Sequence, residues 1–335
     1  MSKEYDYQAL MVRKSEDGKF SLAVEQRNTA ELPAGDLLVR VRWSSLNFKD
    51  MLSANGHPGV TRRFPHQPGI DAAGEVVASD SPEFKAGDEV IVSGYDLGMG
   101  TAGGLGQYIR VPARWAIRLP RGLTARESMI YGTGGFTAVL CVEKLEQMGA
   151  SPAVGLVAVT GATGGVGSFA VALLSQHGYS VAAVTGKSSE HARLMELGAD
   201  EVIGREELLD ANSKALGMRK PCFANAIDTL GGEYLASLLN AVAYQGSVSC
   251  CGLAASHVLN TSVMPFILRG VNLLGVDCVE LPLARKQATW QLIATDMKLA
   301  ALDRMATEIS LAQVPEHLAL MASGKSTGRY LVNLH

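Results

Sequence analysis

The chain has 335 residues, of which 47% are hydrophobic and 19% charged, and its formal net charge is −3. This length is enough for two domains with complete cores, and the balanced charge gives no support for binding nucleic acid or an anionic membrane surface. No run of about 18 apolar residues occurs, so we predict no membrane span. The five cysteines are scattered without a C-x-x-C pair, which suggests reduced thiols and a cytoplasmic protein.

Residues 1–122 are predicted to form a β-rich domain, because short segments rich in Val and Ile alternate with Gly and Pro. The predicted strands cover residues 8–13, 21–26, 36–43, 74–78, 89–93 and 107–111. One segment, W-S-S-L-N-F-K-D-M-L at 43–52, interrupts this pattern. Ser45 is expected to cap a short helix over 46–54. The polar residues Asn47, Lys49 and Asp50 then become candidates for a ligand-facing loop.

The middle of the chain alternates strands and helices. Residues 155–178 are typical of a buried strand, a turn with glycines at 161, 164, 165 and 167, and a helix that ends at Gly178. Such a turn lets a diphosphate approach bare backbone, and the helix N-terminus offers it free N–H groups. Further strands are expected at 179–184, 201–203, 224–228, 246–251 and 271–276, with helices between most of them. This alternation predicts a doubly wound parallel sheet.

Two helices, over 124–130 and 135–148, precede that region, and helices over 283–299 and 314–322 and a closing strand over 330–334 follow it. We therefore expect the β-rich domain at 1–122, a dinucleotide-binding domain at 123–290 and a C-terminal segment at 291–335 that returns to the first domain.

The second strand of the dinucleotide unit ends in Thr185, Gly186, Lys187 and Ser188. A site for NAD places a carboxylate about 20 residues after the glycines, whereas a site for NADP supplies cations for the 2′-phosphate. No Asp or Glu occurs between 161 and 189. Lys187 is expected to pair with that phosphate, with Arg205 reaching the same place, so NADPH is favoured over NADH.

Several phrases along the whole chain resemble the medium-chain dehydrogenase/reductase superfamily. They are W-S-S-L-N-F-K-D (43–50), P-G-I-D-A-A-G-E-V (68–76), G-T-G-G-F-T-A (132–138) and V-M-P-F-I-L-R-G-V-N-L-L-G-V-D (263–277). More narrowly, they resemble its quinone-oxidoreductase-like branch and the acrylyl-CoA reductase (NADPH) group. The resemblance implies an α/β protein with a GroES-like β-rich catalytic domain, a Rossmann-type domain and a homodimeric assembly.

The resemblance also implies which residues hold the cofactor. They are Phe48, Thr163, Gly164, Gly165, Val166, Thr185, Gly186, Lys187, Arg205, Leu253, Ile267, Cys278 and Arg329. Cys278 stands where the group has serine, and Phe48 stands where many relatives have tyrosine. Tyr131 and Thr133 are expected near the nicotinamide end.

A catalytic metal is not expected. Zinc sites need clustered Cys, His and carboxylate ligands, and no cysteine precedes Cys141. The zinc-dependent relatives carry Gly-His-Glu where this chain has Gly69, Ile70 and Asp71, and a cysteine where it has Asn47 or its neighbours. Without a metal to polarise an alcohol oxygen, alcohol dehydrogenation is not the expected reaction.

Hydride addition to an activated C=C bond needs no metal. Reduction of the C=C bond of an α,β-unsaturated acyl thioester is therefore an expected reaction, and the resemblance to the acrylyl-CoA reductase group implies acryloyl-CoA as substrate and propanoyl-CoA as product. Asn47 is the expected orienting group. Phe48 donates no proton, so water, Lys49, Asp50 or Asn47 must assist. Either Arg62 and Arg63 or Arg285 and Lys286 are candidates for the CoA phosphates. The alternatives are an NADPH:quinone or alkenal reductase and a non-catalytic NADPH-binding protein.

Overall fold

A computed structural model of the chain describes residues 4–210 and 220–335. The contacts divide them into two compact units, one built from 4–133 and 279–335 and the other from 134–278. These divisions lie about a dozen residues from the expected boundaries at 122/123 and 290/291. The reason is tertiary: the Tyr131 hydroxyl donates to the Met297 carbonyl at 2.8 Å, and Lys286 Nζ donates to the Ser93 carbonyl at 2.8 Å. These hydrogen bonds attach residues 123–133 and 279–290 to the first unit.

The first part of the chain contains seven strands before a long helix. Its elements are β1 (Asp6–Lys14), β2 (Phe20–Asn28), β3 (Leu37–Ser45), α1 (Phe48–Ala54), β4 (Asp71–Ser79), β5 (Glu89–Ser93), β6 (Tyr108–Val111), β7 (Ala116–Arg118) and α2 (Ala125–Gln147). The sequence pattern does not predict β7, because three residues are too few to show an alternation. The strand is formed by antiparallel pairing with β5.

The second unit alternates strand and helix. Its elements are β8 (Val157–Thr160), α3 (Gly165–Gln176), β9 (Val181–Thr185), α4 (His191–Glu196), β10 (Glu201–Gly204), α5 (Arg205–Asp210), β11 (Asn225–Asp228), α6 (Gly232–Ala241), β12 (Ser247–Cys250), α7 (Met264–Arg269) and β13 (Asn272–Gly275). The six strands pair in parallel in the order β10-β9-β8-β11-β12-β13. This is the strand order of a Rossmann-type sheet, and β8 lies beside the point where the order reverses.

The chain then returns to the first unit. The returning elements are α8 (Leu283–Ala294), β14 (Ala306–Ser310), α9 (Val314–Ala322) and β15 (Arg329–Asn333). They complete a seven-stranded sheet in which β15 pairs antiparallel with β3 and parallel with β14. The expected helix over 283–299 is five residues too long at its C-terminal end, and β14 was not expected.

Each unit has its own apolar core. The core of the first unit includes Leu37, Val39 and Ile109. It lies between the two helices α1 and α9 and the inward sides of β1, β3, β4, β5 and β6. In the second unit the small and β-branched residues of the parallel strands pack against α6, with Leu238 and Leu239 fully buried. Among the described residues, no helix is long and apolar enough to cross a membrane.

Two local features differ from the sequence expectation or refine it. Ser45 is not a helix cap; it ends β3, and α1 starts at Phe48 with Asn47 as its N-cap residue. The two helices expected over 124–130 and 135–148 form one element, α2, which breaks at Gly132 with φ 46° and ψ −158°. Both features lie at the buried cluster described next.

Candidate active site

The first unit contains a buried polar network centred on the Asp71 carboxylate. Asp71 starts β4 and is fully buried. Its Oδ2 accepts hydrogen bonds from Ser45 Oγ at 2.7 Å, Asn47 Nδ2 at 2.8 Å and the Thr133 backbone N–H at 2.8 Å. Its Oδ1 accepts from Thr133 Oγ1 at 2.7 Å. A buried carboxylate is tolerated only when it is paired and hydrogen-bonded, and Asp71 meets both conditions.

Arg329, at the start of β15, supplies the opposite charge. Its Nη1 donates to the Leu46 carbonyl at 3.0 Å and to Asn47 Oδ1 at 2.9 Å, and its Nη2 donates to Ser45 Oγ at 2.7 Å. Nη2 also lies 3.7 Å from Asp71 Oδ2. Burial lowers the pKa of Arg329, and the two nearby carboxylates oppose that shift. Arg329 was expected to bind cofactor. In the structure, both of its terminal guanidinium nitrogens instead donate hydrogen bonds to acceptors of the protein.

Gly132 allows the network to close. A Cβ at this position would lie 2.3 Å from Arg329 Nη2, 2.3 Å from Ser45 Oγ and 2.6 Å from Asp71 Oδ2. Its positive φ also belongs to the region that favours glycine. The break in α2 therefore brings the N–H and hydroxyl of Thr133 to Asp71.

Asp50 and Asn47 lie in the same network but face inward. Asp50 is fully buried; its Oδ2 accepts from the Asn47 N–H at 2.7 Å and its Oδ1 from the Ile70 N–H at 2.9 Å. Burial raises the pKa of Asp50 to about 7, the Asp71 charge adds to the shift, and the backbone hydrogen bonds oppose it. The Asn47 side-chain amide donates hydrogen bonds to the Ser45 carbonyl and to Asp71. The expected direct catalytic contact by Asp50 is therefore corrected: with no exposed surface it is a positioning residue.

Phe48 and Lys49 are the residues of this segment that reach the surface. Phe48 is 41% exposed, although phenylalanine is usually buried. Lys49 is half-buried and has no hydrogen-bond or ion-pair partner among the residues that the structure describes. Of the three candidate catalytic residues, Lys49 alone keeps its polar head available to a ligand.

In the second unit, glycines form the turn between β8 and α3. A Cβ on Gly167 would lie 2.3 Å from the Gly161 carbonyl oxygen, and one on Gly161 would lie 2.2 Å from Thr229 Oγ1. A Cβ on Gly164 would meet its nearest atom at 3.3 Å. No side chain caps α3, so the backbone N–H groups of its first turn, from Gly165 onward, are available to an anion. These features fit the diphosphate of a dinucleotide.

The tip of β9 fits a 2′-phosphate. Lys187 N–H donates to the buried Thr185 hydroxyl at 3.1 Å. Burial lowers the pKa of Lys187, and the Arg205 charge lowers it further while Glu190 opposes. A Cβ on Gly186 would lie 3.0 Å from Arg205 Cδ, so the glycine lets the arginine approach. Arg205 Nε is buried and has no hydrogen-bond partner among the residues that the structure describes, as a group awaiting an anion would be.

The remaining expected cofactor residues lie elsewhere in the second unit. Thr163 is buried in the glycine turn, and Val166 lies in the first turn of α3. Leu253 follows β12 and is 56% exposed, and Ile267 on α7 is 69% exposed. Cys278 ends the unit, is half-buried and forms no disulfide.

The structure also corrects one expectation and supplies residues that the sequence reasoning missed. Tyr131 is fully buried, with its hydroxyl bonded to Met297 and Leu299, so it does not line an open site. Ser45, Gly132 and the central role of Asp71 were missed. The available signal was a carboxylate at the start of an otherwise apolar strand, which needs buried partners. In the described part of the chain, no group of three or more His, Cys, Asp or Glu side chains is arranged to hold a metal ion.

Comparison with known families matches most of the chain. Residues 33–121 match the alcohol dehydrogenase GroES-like domain, and residues 165–295 match the family described as zinc-binding dehydrogenase. The chain is 44% identical over 328 residues to the probable acrylyl-CoA reductase AcuI of Escherichia coli (strain K12), covering 98% of this chain and 100% of that protein. It is 43% identical over 332 residues to the putative quinone oxidoreductase YhfP of Bacillus subtilis (strain 168), covering 98% and 99%.

Solved structures give the same result. The YhdH oxidoreductase from Salmonella enterica, in complex with NADP, matches with a TM-score of 0.93 and 44% identity, over 98% of this chain and 100% of that chain. The Bacillus subtilis YhfP structure with NAD bound matches with a TM-score of 0.94 and 42% identity, again over 98% and 100%. With likeness of this extent in both sequence and fold, the chain belongs to the medium-chain dehydrogenase/reductase superfamily, in the quinone-oxidoreductase-like branch that includes AcuI and YhfP.

Proposed function

We propose that this protein is an NADPH-dependent reductase of the C=C bond of an α,β-unsaturated acyl thioester, with acryloyl-CoA as substrate and propanoyl-CoA as product. The observation that supports the cofactor choice is the tip of β9, where the Arg205 charge acts on Lys187 and Arg205 Nε is buried without a hydrogen-bond partner among the described residues. The sequence from 161 to 189 contains no Asp or Glu. The substrate class rests on the likeness to AcuI along the whole chain.

The residues of the second unit hold the dinucleotide. The first-turn N–H groups of α3, together with the glycine turn, bind the diphosphate, and Thr185, Lys187 and Arg205 bind the 2′-phosphate. When bound, NADPH supplies the hydride that adds to the β-carbon of the substrate, and its nicotinamide is oxidised.

The residues of the first unit are proposed to handle the charge and the proton. As the β-carbon receives the hydride, the π electrons move toward the thioester carbonyl, which becomes an enolate. Lys49 is a half-buried cation at the start of α1; it stabilises that oxygen and supplies the proton to the α-carbon, directly or through water. Lys49 projects from the start of α1. That part of the helix is held in place by Asp50, Asn47, Asp71 and Arg329.

We propose that the reaction uses no resident metal. Asp71 stands among the residues where the zinc-dependent relatives carry ligands, and its carboxylate is already bonded to Ser45, Asn47 and Thr133. A zinc ion there would have to displace those hydrogen bonds. Elemental analysis of the purified enzyme is expected to find no stoichiometric zinc.

The remaining assignments are proposed from surface features. The five cysteines all lie in the described part of the chain and form no disulfide there, which fits a reducing compartment such as the cytoplasm. The edge strand β13, helix α7 and the preceding loop expose apolar side chains that suit a homodimer interface. These side chains are Val258, Val263, Leu268 and Leu273.

A second function is favoured by the name of YhfP, a putative quinone oxidoreductase. One experiment separates the possibilities: oxidation of NADPH is followed at 1 mM of each acceptor, about the upper end of ordinary KM values. Faster turnover of acryloyl-CoA than of a simple benzoquinone supports the proposal. The reverse order supports a quinone reductase, and no turnover of either leaves a non-catalytic binding protein.

A further inference from the structure

The loop that joins α1 to β4 carries two adjacent arginines, Arg62 and Arg63, and both are exposed. The segment that contains them leaves the buried network at Asn47 and rejoins it at Asp71. The arginines therefore lie between two points that are fixed at the candidate site, on the same short segment that projects Lys49.

This loop is held firmly on both sides of the pair. On one side, the Thr61 hydroxyl donates to the Met99 carbonyl at 3.0 Å and lies 2.7 Å from the Ser53 hydroxyl. On the other, the His66 ring nitrogen Nε2 lies 2.9 Å from the Gly98 carbonyl oxygen, and the His66 N–H donates to the Val12 carbonyl at 2.9 Å. Thr61 and His66 are both buried. A loop that is already ordered loses little entropy when it binds a ligand.

The positive charge of the pair is not neutralised within the described chain. Several other arginines of the first unit lie within 4 Å of a carboxylate: Arg13, Arg27, Arg40, Arg42, Arg118, Arg126 and Arg329. Arg62 and Arg63 have no such partner among the described residues. Arg62 Nε donates to the Pro58 carbonyl at 3.0 Å, which orients its guanidinium and leaves the outer nitrogens for a ligand. A guanidinium group is suited to phosphate oxygens, because its planar set of N–H donors can bind two of them at once.

The alternative basic pair does not have this property. Lys286 is fully buried, and its Nζ donates to the Ser93 and Val279 carbonyls at 2.8 Å each while it lies 3.5 Å above the Tyr95 ring. It anchors the returning chain and cannot present its charge to a ligand beside Arg285. Of the two pairs that the sequence offers for phosphate recognition, the structure leaves Arg62 and Arg63.

We propose that Arg62 and Arg63 bind the phosphates of the 3′-phospho-ADP portion of an acyl-CoA substrate. This inference rests on the proposed thioester reductase function and adds a recognition site to it. An acyl-CoA carries its nucleotide at the end of a long flexible arm, so its thioester and its phosphates contact different parts of the segment between Asn47 and Asp71. The site would select CoA thioesters over thioesters that lack a nucleotide.

The test compares acryloyl-CoA with acryloyl-N-acetylcysteamine, which has the same reacting group and no phosphate. In R62A/R63A the KM for acryloyl-CoA is expected to rise about tenfold, a change of ~1.4 kcal/mol, with kcat within about twofold. The KM for acryloyl-N-acetylcysteamine and the KM for NADPH are expected to stay unchanged. R62K/R63K, which keeps both charges but not the paired nitrogens, is expected to recover part of the affinity.

The matched control is R114A/R121A, which removes two exposed arginines of the same unit that also have no carboxylate partner in the described part of the chain. It should leave the KM for acryloyl-CoA unchanged, because its charge change is the same and its position differs. The inference is overturned if the control raises that KM as much as R62A/R63A does, if both thioesters lose affinity equally, or if R62A/R63A binds acryloyl-CoA as well as wild type.

Calorimetric binding of free CoA separates this inference from the proposed reaction, because it needs no turnover. Weaker binding of CoA to R62A/R63A than to wild type, and no weakening in R114A/R121A, supports the phosphate site even if acryloyl-CoA is not reduced. Equal binding of CoA by wild type and R62A/R63A rejects the site even if acryloyl-CoA is the substrate.

Discussion

Arg329 and Asp71 face each other inside the first unit, with Nη2 and Oδ2 3.7 Å apart and both side chains almost completely buried. The Ser45 hydroxyl bridges them, since it accepts from Arg329 and donates to Asp71 at 2.7 Å each. This arrangement joins β3, β4 and β15, which are the strands that place Asn47 and α1. The pair therefore links the C-terminal return of the chain to the segment that we propose carries the chemistry.

Arg329→Met is expected to lower the free energy of unfolding by about 3–5 kcal/mol, because it leaves the buried Asp71 carboxylate without its opposite charge and the Leu46 carbonyl without its donor. Chemical denaturation followed by circular dichroism measures this loss. Asp303→Asn is the control: its ion pair with Arg126 lies on the surface, so it should cost at most about 1 kcal/mol. A loss below that of the control would show that the buried pair is not coupled to the fold.

Asp50 is expected to make stability depend on pH. Burial raises the pKa of its folded form to about 7, above the ordinary 3.8, so the folded protein binds a proton that the unfolded chain has lost. Stability from this group is therefore complete below about pH 4 and decreases as the pH rises toward 7, by at most about 1.4 kcal/mol per pH unit.

Unfolding measured from pH 4 to pH 8 in wild type and Asp50→Asn tests this dependence. The amide does not titrate, so the wild-type curve should fall relative to that of the variant over this range. Parallel curves, or a wild type that gains stability relative to the variant as the pH rises, would contradict the raised pKa.

Lys49→Gln is expected to lower kcat for acryloyl-CoA about 10²-fold, the usual contribution of a general acid, with little change in the KM for NADPH. Lys49→Arg should keep part of the activity, because it retains the charge. The control is Lys325→Gln, which removes an exposed lysine of the same unit. Its activity is measured by the same steady-state kinetics. If Lys49→Gln retains wild-type kcat, water or another group supplies the proton.

Lys187→Glu is expected to raise the KM for NADPH at least about tenfold and to leave the KM for NADH nearly unchanged, because the new carboxylate repels only the 2′-phosphate. Lys220→Glu makes the same charge change at an exposed position of the second unit and should affect neither value. The YhfP structure has NAD bound, so both cofactors are measured. A wild type that prefers NADH would refute the assignment of the β9 tip.

Leu273→Glu is expected to convert a homodimer into a monomer, because a charge in an apolar interface must be desolvated without a partner. Light scattering during size-exclusion chromatography should give twice the 35.4 kDa chain mass for wild type and the single chain mass for the variant. Met195→Glu places the same charge on another exposed apolar side chain and should leave the dimer intact. A monomeric wild type would rule out the proposed interface.

The sequence by itself determined the alternation of strands and helices in the second unit and the identity of its glycine turn. Buried parallel strands appear as short apolar runs, and glycine is required wherever Cβ would collide, as at Gly167. The charged tip at Lys187, which we propose binds the 2′-phosphate, was also visible in the sequence, because charge at a strand end is a local property.

The buried network could be decided only by the tertiary structure. Ser45, Asp71, Gly132 and Arg329 are separated by up to 284 positions, and no local pattern indicates that they share one cluster. The same limit applies to the two basic pairs, since Arg62 with Arg63 and Arg285 with Lys286 look alike in sequence. Only packing shows that the Lys286 charge is enclosed by backbone carbonyls and an aromatic ring, because burial depends on residues that are distant along the chain.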